Sequence, residues 1–135
     1  MVQDENSQER REFFRIAFST PLRFKNCATT QDQASLTPGT SENISQTGIL
    51  FQTKNIPPQL SSIVWMALDI RTLKICQEIE NRALIFNNGI LGRVVRVEED
   101  LEQKRVYDVG VCFLKRSQKD TQEVQQILAE LSVAD

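Results

Sequence analysis

Hydrophobic and polar positions alternate most cleanly near the end of the chain, where Tyr107, Val109, Val111 and Phe113 are interleaved with Asp108, Gly110 and Cys112. A period of two is the signature of a strand with one face buried. The same period, after Pro21, runs through Leu22, Phe24, Asn26 and Ala28 with Arg23, Lys25 and Cys27 between them, and predicts a strand with an edge-like start. Gly48 opens a short apolar strand, Ile49-Leu-Phe51. Ser61 to Ile70 is apolar on both faces, which predicts a central strand or one covered by a helix. Asn87-Asn88-Gly89 is a hairpin signal that joins a strand over Ala83–Phe86 to one over Gly92–Val97, and the acidic turn Glu98-Glu99-Asp100 follows. Residues 29–42, rich in Ser, Thr, Gln and Asp with Pro38-Gly39 inside, read as a long loop. Residues 71–91 fit neither period before the Asn-Asn-Gly turn.

The last segment changes period. Val124, Ile127, Leu128 and Leu131 fall on one stripe of a helix, with Ser117 or Asp120 able to cap its start. Five or six short strands followed by one helix favour a small barrel or sandwich, with the helix lying on a barrel mouth. Trp65, Tyr107 and most of the phenylalanines read as core, as do Cys27, Cys76 and Cys112. Residues 1–9 are polar throughout and read as a flexible tail ahead of a single domain over 10–135, with the barrel at about 16–114 and the helix at about 118–132.

Composition removes several function classes. The 135 residues suit one domain with one core. The net charge of −2 gives no global basic field for a nucleic acid polymer. His is absent, which excludes His-based nucleophiles, proton shuttles and metal ligands. Three widely spaced cysteines without a C-x-x-C make no metal or disulfide framework. The longest apolar run, Ile63–Leu68, is far short of a membrane span, and the first ten residues contain no signal-peptide core, so a cytoplasmic protein without membrane insertion is expected. No catalytic acid pair, nucleophile with its base, cofactor motif or metal set is visible, so an enzyme is the class with least support.

Two segments carry candidate chemistry. Arg11 and Arg15 are four residues apart, with Arg10 ahead of them. Guanidiniums so spaced can fork onto one planar anionic ligand, pairing with guanine O6 and N7 or with phosphate. The alternative is a solvated charged face. Asn43, Ser45 and Gly48 stand just before a strand, where short polar side chains can hold a ligand edge and Gly admits a close backbone. The alternative there is a turn rich in turn formers.

In this order the two segments, Arg11-Glu-Phe-Phe-Arg15 and Asn43-Ile-Ser45-Gln-Thr-Gly48, match the paired motifs R-x-x-x-R and [D/N]-x-S-x-x-G. The chain thereby resembles the PilZ domain family of bacterial cyclic di-GMP receptors. Gly92-Arg-Val-Val-Arg-Val97 and Tyr107-Asp-Val-Gly-Val-Cys-Phe113 resemble that family's later strands, and the likeness runs from about Glu9 to Leu114. Asn43 stands where the family more often has Asp, and residues 70–88 are longer than its usual connection.

The resemblance implies an all-β fold with an added helix: a six-stranded antiparallel PilZ-type β-barrel and a C-terminal α-helix. It implies that Arg10, Arg11 and Arg15 grip guanine and phosphate, that Asn43 and Ser45 read a guanine edge, and that Gly48 lets the strand come close. It also implies that ligand orders the N-terminal segment onto the barrel and so alters the surface seen by a downstream protein. An Arg at the place of Arg10 implies two intercalated ligand molecules per chain. The alternatives are a PilZ-type adaptor that binds protein without nucleotide, and a single-strand-binding barrel, which would want a basic, aromatic-studded groove.

Overall fold

A computed structural model describes residues 15–27 and 36–133. The expected tail, Arg10 and Arg11 lie outside the described residues. The strands, in chain order, are β1 (Ile16–Ala17), β2 (Pro21–Asn26), β3 (Thr37–Ile44), β4 (Gly48–Thr53), β5 (Ile63–Ala67), β6 (Ile85–Phe86), β7 (Gly89–Glu99) and β8 (Tyr107–Phe113). Helix α1 (Cys76–Arg82) precedes β6, and a 3-10 turn (Arg116–Asp120) leads into helix α2 (Gln122–Val133). β3, β2, β5, β7, β8 and β4 pair in that order, and β4 pairs back onto β3, which closes a six-stranded antiparallel barrel. β1 adds to the free part of the β3 edge, and β6 to β7.

Alternation sorts side chains to the two sides of the wall. On β5, Val64 and Met66 point into the barrel, where Phe24 and Phe51 stack at 5.0 Å with their rings tilted by 41°. Ile63 and Trp65 point outward, into a second cluster with Leu91, Leu114, Val124, Ile127 and Leu131. α2 therefore covers the outside of the β5–β7 wall and not a barrel mouth, as the single stripe had suggested. The Trp65 indole N–H is satisfied by the Phe86 carbonyl at 2.7 Å, so Trp65 is half-buried under the helix and not in the barrel core. Thr121, not Ser117 or Asp120, caps α2: its hydroxyl accepts from the Val124 N–H at 3.3 Å.

The mouth has a different occupant. α1, in the stretch that showed no clear period, inserts Ile79 into the interior cluster, with Leu73, Ile75 and Cys76 packed beside it. A short plug with one fully buried side chain needs no long amphipathic stripe, which is why periodicity does not announce it.

The predicted loop over residues 29–42 is also corrected: Thr37–Glu42 belong to β3. Between two neighbours, a strand can be held by its ladder with few apolar residues of its own; here only Ser41 and Ile44 are buried. The predicted acidic turn at 98–100 falls partly in β7, which runs on to Glu99. The hairpin signal at Asn87-Asn88 is as expected, both residues taking positive φ (53° and 62°) between the paired Phe86 and Gly89. Of the cysteines, Cys27 is buried, with its thiol pushed up to about 11 by burial, but Cys76 is half-buried and Cys112 exposed, so the uniform core reading does not hold.

Candidate functional site

The site is built by the edge of β3 and the turn that follows it. β1 pairs with β3 in the register Ile16↔Ile44 and Ala17↔Asn43. Arg15 directly precedes Ile16 and Ser45 directly follows Ile44, so the two flank this end of the ladder. Arg15 is exposed, so its guanidinium stands in solvent at the start of the turn. The crossover from β1 to β2 is clasped to β3 by Ser41. Its buried hydroxyl accepts from the Thr20 N–H at 3.0 Å and donates to the Phe18 carbonyl, and the Phe18 N–H bonds the Glu42 carbonyl at 3.1 Å. This clasp fixes where Arg15 emerges, and no sequence motif pointed to Ser41.

The turn itself is held from three sides. Ser45 Oγ accepts from the Thr47 N–H at 3.2 Å, and the Ser45 N–H donates to the Gly48 carbonyl at 2.9 Å. The Phe113 N–H at the end of β8 donates to the Thr47 carbonyl at 2.8 Å. Gln46 Nε2 donates to the Glu78 carboxylate, 2.7 Å from Oε1, which links the turn to α1. Ser45 thus shapes the turn with the same hydroxyl that could meet a ligand.

Gly48 has a packing reason of its own. A Cβ there would lie 2.4 Å from the Val111 carbonyl oxygen, so the glycine lets β4 run close against β8. That is a different use from the ligand approach expected of it.

Asn43 is the unusual residue. Its Oδ1 is buried and has no hydrogen-bond partner among the described residues. A buried acceptor left unmatched costs about 1–3 kcal/mol, which a ligand N–H donor at that atom would recover. The described part of the site therefore brings together Arg15, Asn43, Ser45 and Gly48 at one corner of the barrel. The arrangement offers a cation, a neutral acceptor and backbone close to the turn. Among the described residues, no cluster of His, Cys, Asp or Glu is placed to hold a metal ion.

Glu42, beside Asn43, occupies the bulge at which the β3–β4 register shifts. Burial raises its carboxyl above the ordinary range; Asp108 and Asp100 push the same way, against Arg96. A raised folded-state pKa means that the fold prefers the protonated form. That stabilisation is complete below the ordinary carboxylate pKa and is lost as pH rises through the raised value. Glu42→Gln should therefore raise the melting temperature at neutral pH, by about 1–2 °C because the group is half-exposed, and the gain should vanish below about pH 4. An equal change at both pH values would contradict this assignment.

Comparison with known proteins gives a family model, described as PilZ domain, that matches residues 9–130. A solved structure described as the PilZ domain of CeSA from a cellulose-synthesizing bacterium is similar at 14% identity and a TM-score of 0.42, covering 87% of this chain and 93% of that one. No curated protein matches the chain significantly. No described helix is long and apolar enough to cross a membrane.

Proposed function

The chain belongs to the PilZ domain family, generally one of cyclic di-GMP receptors and adaptors, and from that premise we propose that it is a cytoplasmic cyclic di-GMP receptor whose site is the β3–β4 corner. Arg11 and Arg15 grip guanine and phosphate, and Arg10 adds a third cation. Asn43 Oδ1 accepts from a guanine N–H, and Ser45 and Gly48 complete the wall. The ligand fastens the Arg10–Arg15 segment against the turn, and the altered surface is what a downstream protein reads. The protein has no catalytic role in this reading.

The observation that supports it best is the register that sets Arg15 beside the turn while Asn43 Oδ1 stays buried and unmatched. Each is what a guanine edge would need: a fork for its acceptors and an acceptor for its donors. A protein-only adaptor would have no use for either.

The same reading takes two ligand molecules per chain, as the family resemblance implies for an Arg at the place of Arg10. A stacked pair carries four phosphate charges, and a third guanidinium offsets more of that charge than two can, or stacks on an outer guanine. Calorimetric titration of the full chain should give a ratio of two, falling toward one in Arg10→Leu. A ratio of one in the wild type, or no change in the variant, would contradict the third grip.

Asn43→Asp tests the direction of the Asn43 bond. A carboxylate accepts more strongly than an amide, so the variant should bind cyclic di-GMP as tightly or up to about tenfold tighter. Without ligand it should melt lower, because a charge replaces a buried neutral acceptor. Loss of binding would mean that the amide of Asn43 donates instead.

A further inference from the structure

A cavity of about 440 Å³ opens on the other side of the same turn. Gln46 and Thr47 of the turn form one wall; Arg82 at the end of α1 and Lys115, Arg116 and Ser117 after β8 form others. Three of the described lining residues are cations and none is acidic. The position is fixed by backbone. The Phe113 N–H holds the Thr47 carbonyl, Ala83 bridges Lys115, and Arg116 Nη2 donates to the Glu80 carbonyl at 2.6 Å, which ties α1 to the 3-10 turn. Glu78, on the same helix as Arg82, has its carboxylate held by Gln46 of the turn.

The cavity and Arg15 flank the turn. Arg15 comes from β1, on the outer edge of β3, and Lys115 follows β8, beyond β4. Three inter-strand steps of about 4.8 Å separate those strands by roughly 14 Å. Four bases stacked at about 3.4 Å extend roughly 10 Å before their phosphates are counted. The separation of those two strands is thus of the order of a stacked ligand pair with its phosphates.

The geometry points to an anion subsite in which Lys115 and Arg116, with Arg82, take a phosphodiester of the bound cyclic dinucleotide. This rests on the receptor reading above, but the subsite has its own chemistry, a phosphate held by clustered cations beside the Thr47–Phe113 junction. The other large cavity, of about 470 Å³, lacks that chemistry. It is lined by Asp69, Glu80 and Arg71, and Arg71 is already forked onto Asp69 at 3.0 and 2.9 Å.

Two titrations test the subsite separately from the receptor reading. Pyrophosphate, added to the isotope-labelled full chain at constant ionic strength, should shift the amides of Thr47 and of Lys115–Ser117, and the shifts should disappear in Lys115→Gln/Arg116→Gln. In calorimetry the same double variant should bind cyclic di-GMP about tenfold more weakly and with a shallower salt dependence. Lys115→Gln alone, which leaves the Arg116 bond to Glu80 in place, should bind about threefold more weakly, with an unchanged melting temperature. If the wild type binds cyclic di-GMP and both variants bind it equally well, the subsite is overturned and the receptor reading stands. If the wild type takes no cyclic di-GMP yet shows the pyrophosphate shifts, the cation cluster is an anion site but its assignment to a cyclic dinucleotide falls with the receptor reading.

Discussion

Arg15→Ala should weaken cyclic di-GMP binding by a hundredfold or more, about 3 kcal/mol, while leaving the melting temperature of the free chain unchanged. The two halves of the expectation come from different observations. Arg15 is exposed and belongs to neither hydrophobic cluster, so truncation removes nothing from either. The residue directly precedes β1, however, whose Ile16 pairs with Ile44 at the start of the turn, so in the bound state the guanidinium contributes a charge-assisted fork whose ligand atoms stay desolvated when it is gone. Arg11→Ala should behave alike in binding. Wild-type affinity in Arg15→Ala would remove the corner from the site. A large fall in melting temperature without ligand would make Arg15 a structural residue.

Gly48→Ala should act the other way round, on folding before binding. The added methyl carbon would meet the Val111 carbonyl oxygen at 2.4 Å, and that oxygen is backbone of β8 near the end of the β4–β8 ladder. No rotamer change relieves the clash. β4 has to move away from β8, which strains the Gly48↔Cys112 pairing and the Phe113–Thr47 bond that steadies the turn. Overpacking of this kind costs about 3 kcal/mol, a fall of roughly 10 °C in melting temperature for a chain of this size. Any loss of ligand affinity would then follow from the displaced turn. An unchanged melting curve with lost binding would show that the glycine serves only the approach of a ligand.

The parts of this protein that were legible in the sequence are those where burial and local chemistry agree. Tyr107–Phe113 alternates because one face of β8 fills the barrel, and Asn87-Asn88 spells a turn that needs positive φ twice. Most of β3 reads as loop in the sequence because the register that holds it comes from β2 and β4 on either side, not from its own side chains. α1 was invisible because one residue, Ile79, does its anchoring. The stripe on α2 was read correctly but could not say which surface it covers. Only the outward residues of β5 and β7, Ile63, Trp65 and Leu91, make the wall its seat. At the site, motif spacing identified Arg15, Asn43, Ser45 and Gly48 as candidates, yet the packing reason for Gly48 and the Ser41 clasp depend on which strands become neighbours, and a linear pattern does not carry that information.

Amide-shift mapping of the labelled wild-type chain against cyclic di-GMP reports binding and its place on the barrel in one spectrum. Saturable shifts are expected, largest at Arg15, Asn43 and Ser45 and extending through Thr47. No shift at saturating ligand, or shifts confined to the Asp69–Glu80 side of the barrel, would contradict a receptor site at the β3–β4 corner.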